Sequence, residues 1–445
     1  MERRRGQPPA HTHAAEAVRP VPEEIRTHAP GRSHVRHRVA ALAALVGMIT
    51  YLDRTCISVT APNMMKDLGL SQIQMSFVFS AFTLAYAMFE IPSGWWGDRV
   101  GTRRVLTRIV TWWSTFTMLT GAAWSYASLL VTRFLFGAGE AGCWPNVTRT
   151  FSRWFPLAER GTAQGVFFMG AHLAGGFTPL LVTVMLGHMS WRMLFLIFGS
   201  VGFVWAVFWR YWFRDEPAQH AAVRAGELEW IEKGRMIEAG NRDGGTPWKA
   251  LLANRTAVLL CLMYFTQAYG FNFYVTWLPT YLKNVRGFAS VSLGIFAGLP
   301  LALSVLADLF GGITTDRLTR RFGLRIGRAT VGAGALLAAG GCMMAGTSAA
   351  SPYASAVLIA LGSAAANFML PAAWGSCIDL GGRHAGTLSG AMNTSGQIGG
   401  VLSPMIVGLS VQWFGSWSAP LYLTAALYVA GAICWAGIDP SRRSV

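Results

Sequence analysis

Four ionisable residues interrupt stretches that are otherwise apolar. They are Asp53 and Arg54 in Tyr51-Leu-Asp53-Arg54, then Arg133 and Glu140 in Arg133-Phe-Leu-Phe-Gly137-Ala-Gly-Glu140. A charge inside such a stretch costs several kcal/mol on insertion scales, so each needs a reason. The planar fork of an arginine accepts both oxygens of a carboxylate, which makes an unpaired one a ready anion receptor. Glu140 sits among Ala138, Gly139, Ala141 and Gly142, surroundings that disfavour its charged form and suit a group that loads and releases protons. The alternative is that the four charges only neutralise one another as packing pairs, which seldom adds stability over apolar packing. No HExxH, GxSxG or Walker loop occurs. The six cysteines lie in apolar stretches without CxxC spacing. The residues therefore predict no enzyme, no metal site and no cofactor, with the proton as the coupling ion.

The elements that hold these residues are expected to be membrane helices. Of 445 residues, 53% are hydrophobic and 13% charged, whereas soluble domains average about 25% charged. Twelve apolar stretches near 39–61, 74–96, 105–124, 127–149, 161–186, 191–213, 255–280, 288–313, 328–348, 353–377, 385–410 and 415–437 each approach the ~20 residues that span a bilayer. Without water to satisfy free backbone groups, such runs must be helices. The expected fold is an all-α membrane protein of twelve transmembrane helices in two six-helix bundles. Residues 1–38 read as a disordered cytoplasmic tail, 39–213 as the first bundle, 214–254 as a cytoplasmic linker, 255–438 as the second bundle and 439–445 as a short tail. The segment 227–238 reads as a surface helix within the linker.

Charge orients this arrangement. The net charge of +16 does not mark a nucleic-acid binder, because the basic residues lie between apolar stretches rather than on one face of a soluble domain. With both termini in the cytoplasm, the outer loops hold only Lys66, Arg192, Lys283 and Arg286. Apart from Arg54 and Arg133, the remaining Lys and Arg then fall on the cytoplasmic side, as the positive-inside rule demands. The expected location is the inner (plasma) membrane, with the bilayer and a small anion as partners and a monomer as the working unit.

Counting at ~1.5 Å per residue puts Asp53 roughly 21 Å from the cytoplasmic edge and Arg133 roughly 9 Å below the outer edge, at one level. This predicts an Asp53–Arg133 pair. Arg54, about 100° further round its helix, is left without an acidic partner at its depth. Glu140 lies two turns below Arg133, near the midplane.

The halves repeat weakly. Gly161-Thr162-x-x-Gly165 matches Gly386-Thr387-x-x-Gly390, Pro62-x-x-x-Lys66 matches Pro279-x-x-x-Lys283, and Gly97-Asp98-Arg99 matches Thr315-Asp316-Arg317. At the first of these offsets His172 aligns with Gln397, so both are expected to face a shared cavity. His172 reads either as a second carboxylate ligand or as a neutral group bonded between helices. The second half carries no equivalent charges at that depth and offers Gln267, Asn272, Asn367, Asn393 and Gln397 instead. Trp374 is placed to stack on a sugar face. Asp98 and Arg99 read as a gate that parts when the halves rock, with Glu90 and Asp308 as partners nearer the cytoplasm.

The stretch Gly94-Trp-Trp-Gly97-Asp98-Arg99-Val-Gly101-Thr-Arg103-Arg104 resembles the signature loop of the major facilitator superfamily. Tyr51-Leu-Asp53-Arg54, Phe79-Ser-Ala-Phe with Tyr86, and Arg133-x-x-x-Gly137-Ala-Gly-Glu140-Ala together resemble its anion:cation symporter family, over about residues 39–438. That family includes transporters of galactonate, glucarate, hexuronates, sialic acid and glutamate. The resemblance implies proton-coupled symport of an organic anion, most simply a sugar acid such as a hexonate, hexuronate or aldarate. It implies carboxylate binding at Arg54 assisted by Tyr86, with Gln267 and Asn393 at the substrate. It also implies proton coupling through Asp53 and Glu140, with Arg133 as their partner. Where galactonate-type members carry glutamine, this chain has Ala171-His172. Exchange of organic phosphates or other carboxylates, and a non-transporting sensor, are the competing readings. The first usually uses paired arginines on both halves, and the second half offers none.

Overall fold

The computed structural model describes residues 33–234, 253–288 and 290–441. Among the described residues every regular element is helical. The first half of the chain forms α1 (Val35–Leu68), α2 (Gln72–Val100), α3 (Thr102–Gly121), α4 (Tyr126–Glu140), α5 (Cys143–Trp154), α6 (Arg160–Leu186) and α7 (Trp191–Trp212). A short helix α8 (Ala225–Lys233) follows. The second half forms α9 (Arg255–Thr276), α10 (Leu278–Asn284), α11 (Ser290–Phe322), α12 (Leu324–Ser348), α13 (Pro352–Phe368), α14 (Leu370–Gly381), α15 (Ala385–Phe414) and α16 (Ser418–Gly437).

Three expected single helices are broken. The stretch 127–149 divides at Ala141-Gly142, 255–280 at Trp277 and 353–377 at Met369. In the last two a proline follows the break by two residues, Pro279 and Pro371, and a proline neither donates to the preceding turn nor fits behind it. Helix α1 starts four residues earlier than the apolar run suggests. The Glu227 carboxylate of α8 accepts from the Val35 N–H at 3.0 Å, the Arg36 N–H at 3.1 Å and the Ser33 hydroxyl at 2.5 Å, giving α1 the N-terminal cap its own sequence lacks. The expected tail is therefore helical from Val35. Its residues 1–32, the linker residues 235–252 and the final 442–445 lie outside the described residues. The surface helix expected over 227–238 is seen through Lys233.

Nine helical segments among the described residues are long and apolar enough to cross a bilayer. Their outward faces carry Phe77, Leu84, Phe208 and Ile433, all well exposed. In water such a surface would be prohibitive, and against acyl chains it is the expected one.

Two helices tie the halves together. α6 packs on α1 of its own half and on α11 of the other, and α15 packs on α9 and on α2. Both crossings need glycine. A Cβ on Gly94 of α2 would lie 2.3 Å from the Gly386 carbonyl oxygen of α15, and one on Gly312 of α11 would lie 2.4 Å from the Gly161 carbonyl oxygen of α6. Rigid backbone leaves no escape from such contacts, so small residues set how closely the halves approach. Gly94→Ala and Gly312→Ala should each destabilise this closed arrangement by about 1–3 kcal/mol, as overpacking does. The expected readout is a lower unfolding temperature in detergent together with a wider separation of α2 from α15 or of α11 from α6. An unchanged separation in either variant would remove its glycine from the contact.

Candidate functional site

A cavity of about 200 Å³ lies between the halves. Arg54, Tyr86 and His172 line it from the first half, and Gln267, Trp374 and Asn393 from the second. All six expected substrate-site residues thus share one chamber. Asn272, Asn367 and Gln397 complete its polar lining.

Arg54 is not unpaired. Its Nε donates to both Glu140 oxygens at 3.0 Å, and its guanidinium carbon lies 4.6 Å from the Tyr86 ring centre. The depth count misses this pair because it compares backbone levels and leaves out side-chain reach, and helical side chains lean towards the helix N-terminus. The break at Ala141 makes Glu140 the last residue of α4, and a carboxylate at a helix C-terminus faces the negative end of the dipole. Arg54 supplies the compensating charge. One end of the guanidinium remains available, since the buried Nη2 has no hydrogen-bond partner. Tyr86 presents its ring face to the cation and its hydroxyl towards Asn393 at 3.5 Å.

The expected Asp53–Arg133 ion pair does not form. Asp53 accepts from the Thr117 hydroxyl at 3.4 Å, and its Oδ1 has no partner. Arg133 lies over the Phe136 ring at 4.2 Å and the Phe82 ring at 5.2 Å. Aromatic faces, rather than a carboxylate contact, stabilise that buried cation. Neither Asp53 nor Arg133 reaches the cavity lining.

The amides of the second half form a chain. Gln267 Nε2 donates to Asn367 Oδ1 at 3.0 Å, and Asn367 Nδ2 donates to Ser304 Oγ at 2.6 Å. Trp374 donates to the Tyr264 hydroxyl at 3.3 Å and packs among Trp144 and Phe168, which fixes its ring at the cavity wall. The expectation that the second half brings no charge to this level is corrected. Asp308 of α11 is buried, and its Oδ2 lies 2.6 Å from His172 Nδ1. Glu90 of α2 is likewise buried, and Asn393 and Thr394 donate to it. These two acids were expected nearer the cytoplasm and stand instead beside cavity residues. The repeat held the signal. Glu90 precedes Asp98 by eight residues, and Asp308 precedes Asp316 by the same eight.

The lower acids close one end. Asp98 Oδ1 accepts from the Gly386 N–H at 3.0 Å, while Oδ2 accepts from the Thr387 N–H and hydroxyl, each at 2.7 Å. Asp316 does the same at the start of α6, with Gly161 N–H at 2.9 Å and both Thr162 donors at 2.6 Å. Each carboxylate therefore caps a helix of the opposite half, where free N–H groups and the dipole favour an anion. Arg149 approaches Asp98 at 3.4 Å, and Asp379 bridges Arg160 at 2.7 Å and Arg328 at 3.1 Å. Arg99, expected in this gate, is instead exposed on α2 and lies over Trp95 at 4.5 Å.

A family model described as Major Facilitator Superfamily matches residues 43–404. The chain belongs to this superfamily. It is 35% identical to the probable sulfoacetate transporter SauU of Cupriavidus necator, over 92% of this chain and 95% of that protein. It is 29% identical to the probable galactarate/D-glucarate transporter GudP of Bacillus subtilis, over 94% and 95%. Among solved structures, the human organic anion transporter MFSD10 (TETRAN) shares the fold with a TM-score of 0.70 at 16% identity, covering 91% of this chain and 100% of that one.

Asp98→Asn and Asp316→Asn should each weaken the closed end by roughly 1.5–3 kcal/mol, the usual worth of hydrogen bonds to a charged group. The two sites are separate, so the double variant should be near additive. Distance measurements across the α2–α15 and α6–α11 contacts check this, and an unaltered closed population in both single variants would contradict it.

Proposed function

We propose that this chain is a proton-coupled importer of a small organic anion, working by alternating access. Two six-helix bundles, near 39–213 and 255–438, would rock about the cavity. In this reading α4 with α5, α9 with α10, and α13 with α14 each make one crossing, giving twelve. The termini and the linker lie in the cytoplasm of a cell whose inner membrane holds the protein. The end capped by Asp98 and Asp316 is then the cytoplasmic gate, and the described arrangement is closed there. Such a carrier needs no cofactor, and one copy suffices because the cavity is built from a single chain.

The single observation that carries this reading is that Arg54, at the wall of a cavity whose opposite side is lined with amides, is paired with the fully buried Glu140 outside that lining. One guanidinium serves two anions. A substrate carboxylate at the free Nη2 end of Arg54 shares the charge that Glu140 otherwise has to itself, and a proton on the buried Glu140 restores neutrality there. Anion and proton then enter together. Gln267, Asn367 and Asn393 suit substrate hydroxyls, and the fixed Trp374 ring suits the face of a carbon chain. The names borne by SauU and GudP place sulfonates and aldarates in the same chemical class of small acids.

Reconstituted protein tests this with labelled D-galactarate and sulfoacetate. A pH gradient, acid outside, should drive accumulation of at least one of them. Arg54→Lys keeps the charge and loses the fork, and should weaken binding by more than tenfold, about 1.4 kcal/mol. Glu140→Gln mimics the protonated acid. It should retain counterflow exchange and lose pH-driven accumulation. Accumulation by Glu140→Gln at the wild-type level would move the coupling role to another acid.

A further inference from the structure

Two carboxylates at the cavity floor take no part in the scheme above, Glu90 and Asp308. They occupy matching places in the repeat, and each reaches across the interface to a side chain that also lines the cavity, Asn393 for Glu90 and His172 for Asp308. Below them on the same helices, Asp98 and Asp316 cap backbone N–H groups. Each helix therefore presents an upper and a lower rung to the other half. The lower rungs are set away from the cavity. The upper rungs share their partners with whatever the cavity holds.

The upper rungs differ in one respect. Glu90 is served by neutral donors, Asn393 and Thr394, neither of which titrates. Asp308 is served by a histidine, and its Oδ1 has no partner at all. A buried carboxylate with half its hydrogen-bonding capacity unmet is poorly stabilised by a neutral imidazole alone. An imidazolium would satisfy it by charge. The other groups facing His172 leave it no competing carboxylate in contact. From α1 comes Tyr51, with ring centres 5.8 Å apart, and beyond Tyr51 the Arg54–Glu140 pair. From α9 comes Phe271 at 5.9 Å, with the neutral Gln267 and Asn272 nearby, and from α15 the neutral Gln397. Nδ1 is committed to Asp308, which leaves Nε2 as the nitrogen that can meet a ligand.

We propose that His172 and Asp308 form a second proton site, a latch between the halves that is held shut while His172 is protonated and released by a second acid group on the substrate. This rests on the anion-carrier reading and narrows its substrate to doubly acidic molecules, dicarboxylates or sulfocarboxylates. One acid group of the substrate takes Arg54. The other approaches Nε2 of His172, shares the imidazolium charge with Asp308 and weakens the bond across the interface. The proton stays on the imidazole and moves with the substrate. When the halves part, imidazole and carboxylate separate and hydrate, and the proton leaves. Without a diacid the protonated latch stays closed, so protons do not leak through alone.

Linkage fixes the sign. A proton held more tightly in the closed pair than in the parted one shifts the carrier towards the closed gate as pH falls. Spin labels at the exposed ends of α2 and α11, on Arg99 and Arg321, report the gate by pulsed electron resonance. In substrate-free wild type the closed-to-open ratio should rise as the pH is lowered. Its steepness should approach up to about tenfold per pH unit, the limit for one proton. His172→Gln and Asp308→Asn should flatten this response, and Glu90→Gln should keep it. An equally steep response in the first two variants overturns the latch. If neither variant folds, the ¹⁵N resonance of His172 in labelled wild type decides, and a neutral imidazole at every pH of the series overturns it as well. At the acid end, D-galactarate or sulfoacetate should reopen the wild-type gate, and the monocarboxylate D-galactonate should not. Equal opening by all three overturns the second-acid step and leaves the carrier reading standing. A gate that responds to pH and to none of the acids overturns the carrier reading, while the proton site stands.

Discussion

A charge inside a membrane protein must find its compensation within the chain, and here that constraint fixes one contact above all, between Arg54 and Glu140. Arg54 could not stay buried against Tyr86 and Phe82 on aromatic contact alone without giving up the strongest partner in reach. Glu140 could not end α4 against the dipole without a cation. The two side chains meet between α1 and α4, and Arg54 also lines the cavity opposite the amides of the second half. In the proposed carrier, a substrate anion that shares Arg54 with Glu140 gives the site a reason to take up a proton as well.

The same constraint shapes the interface between the halves. Close approach at Gly94/Gly386 and Gly312/Gly161 brings backbone to backbone, which places helix N-termini beside the carboxylates of Asp98 and Asp316. Neither device works alone. Without glycine the N–H groups stand too far off, and without the acids the free N–H groups of α6 and α15 are left unsatisfied. The duplicated sequence makes both devices twice, so the closed end is held by two similar clamps.

Much of this was legible in the sequence. Helix positions followed from hydropathy, and six cavity residues followed from depth, repeat and family resemblance. The misses have physical causes. The helix breaks at Ala141 and Met369 are local bends that an apolar run does not announce, and the Arg54–Glu140 pair depends on side-chain reach, which a count of backbone levels leaves out. The pairing expected of Arg133 with Asp53 rests on charge alone, whereas the rings of Phe82 and Phe136 offer another compensation. Arg99 shared a signature with Asp98, yet adjacent residues on a helix diverge by about 100°, so only one of them can face the other half. Asp308 was placed by its distance from the loop rather than by its likeness to Glu90, which the repeat already contained.

Charge balance gives these particulars one consequence. At cavity level the described residues contribute four acids, Asp53, Glu90, Glu140 and Asp308, against two guanidiniums, Arg54 and Arg133. A layer with that excess cannot be buried with every acid ionised, because each uncompensated charge costs several kcal/mol. Protons are the smallest charges able to close the gap, and His172 stands beside an acid, Asp308, that lacks a full set of donors. An arriving anion adds to the excess and so raises the demand for protons. In the proposed carrier, coupling of this kind would need no dedicated relay, since it would follow from how many acids the fold buries and how few cations it buries with them.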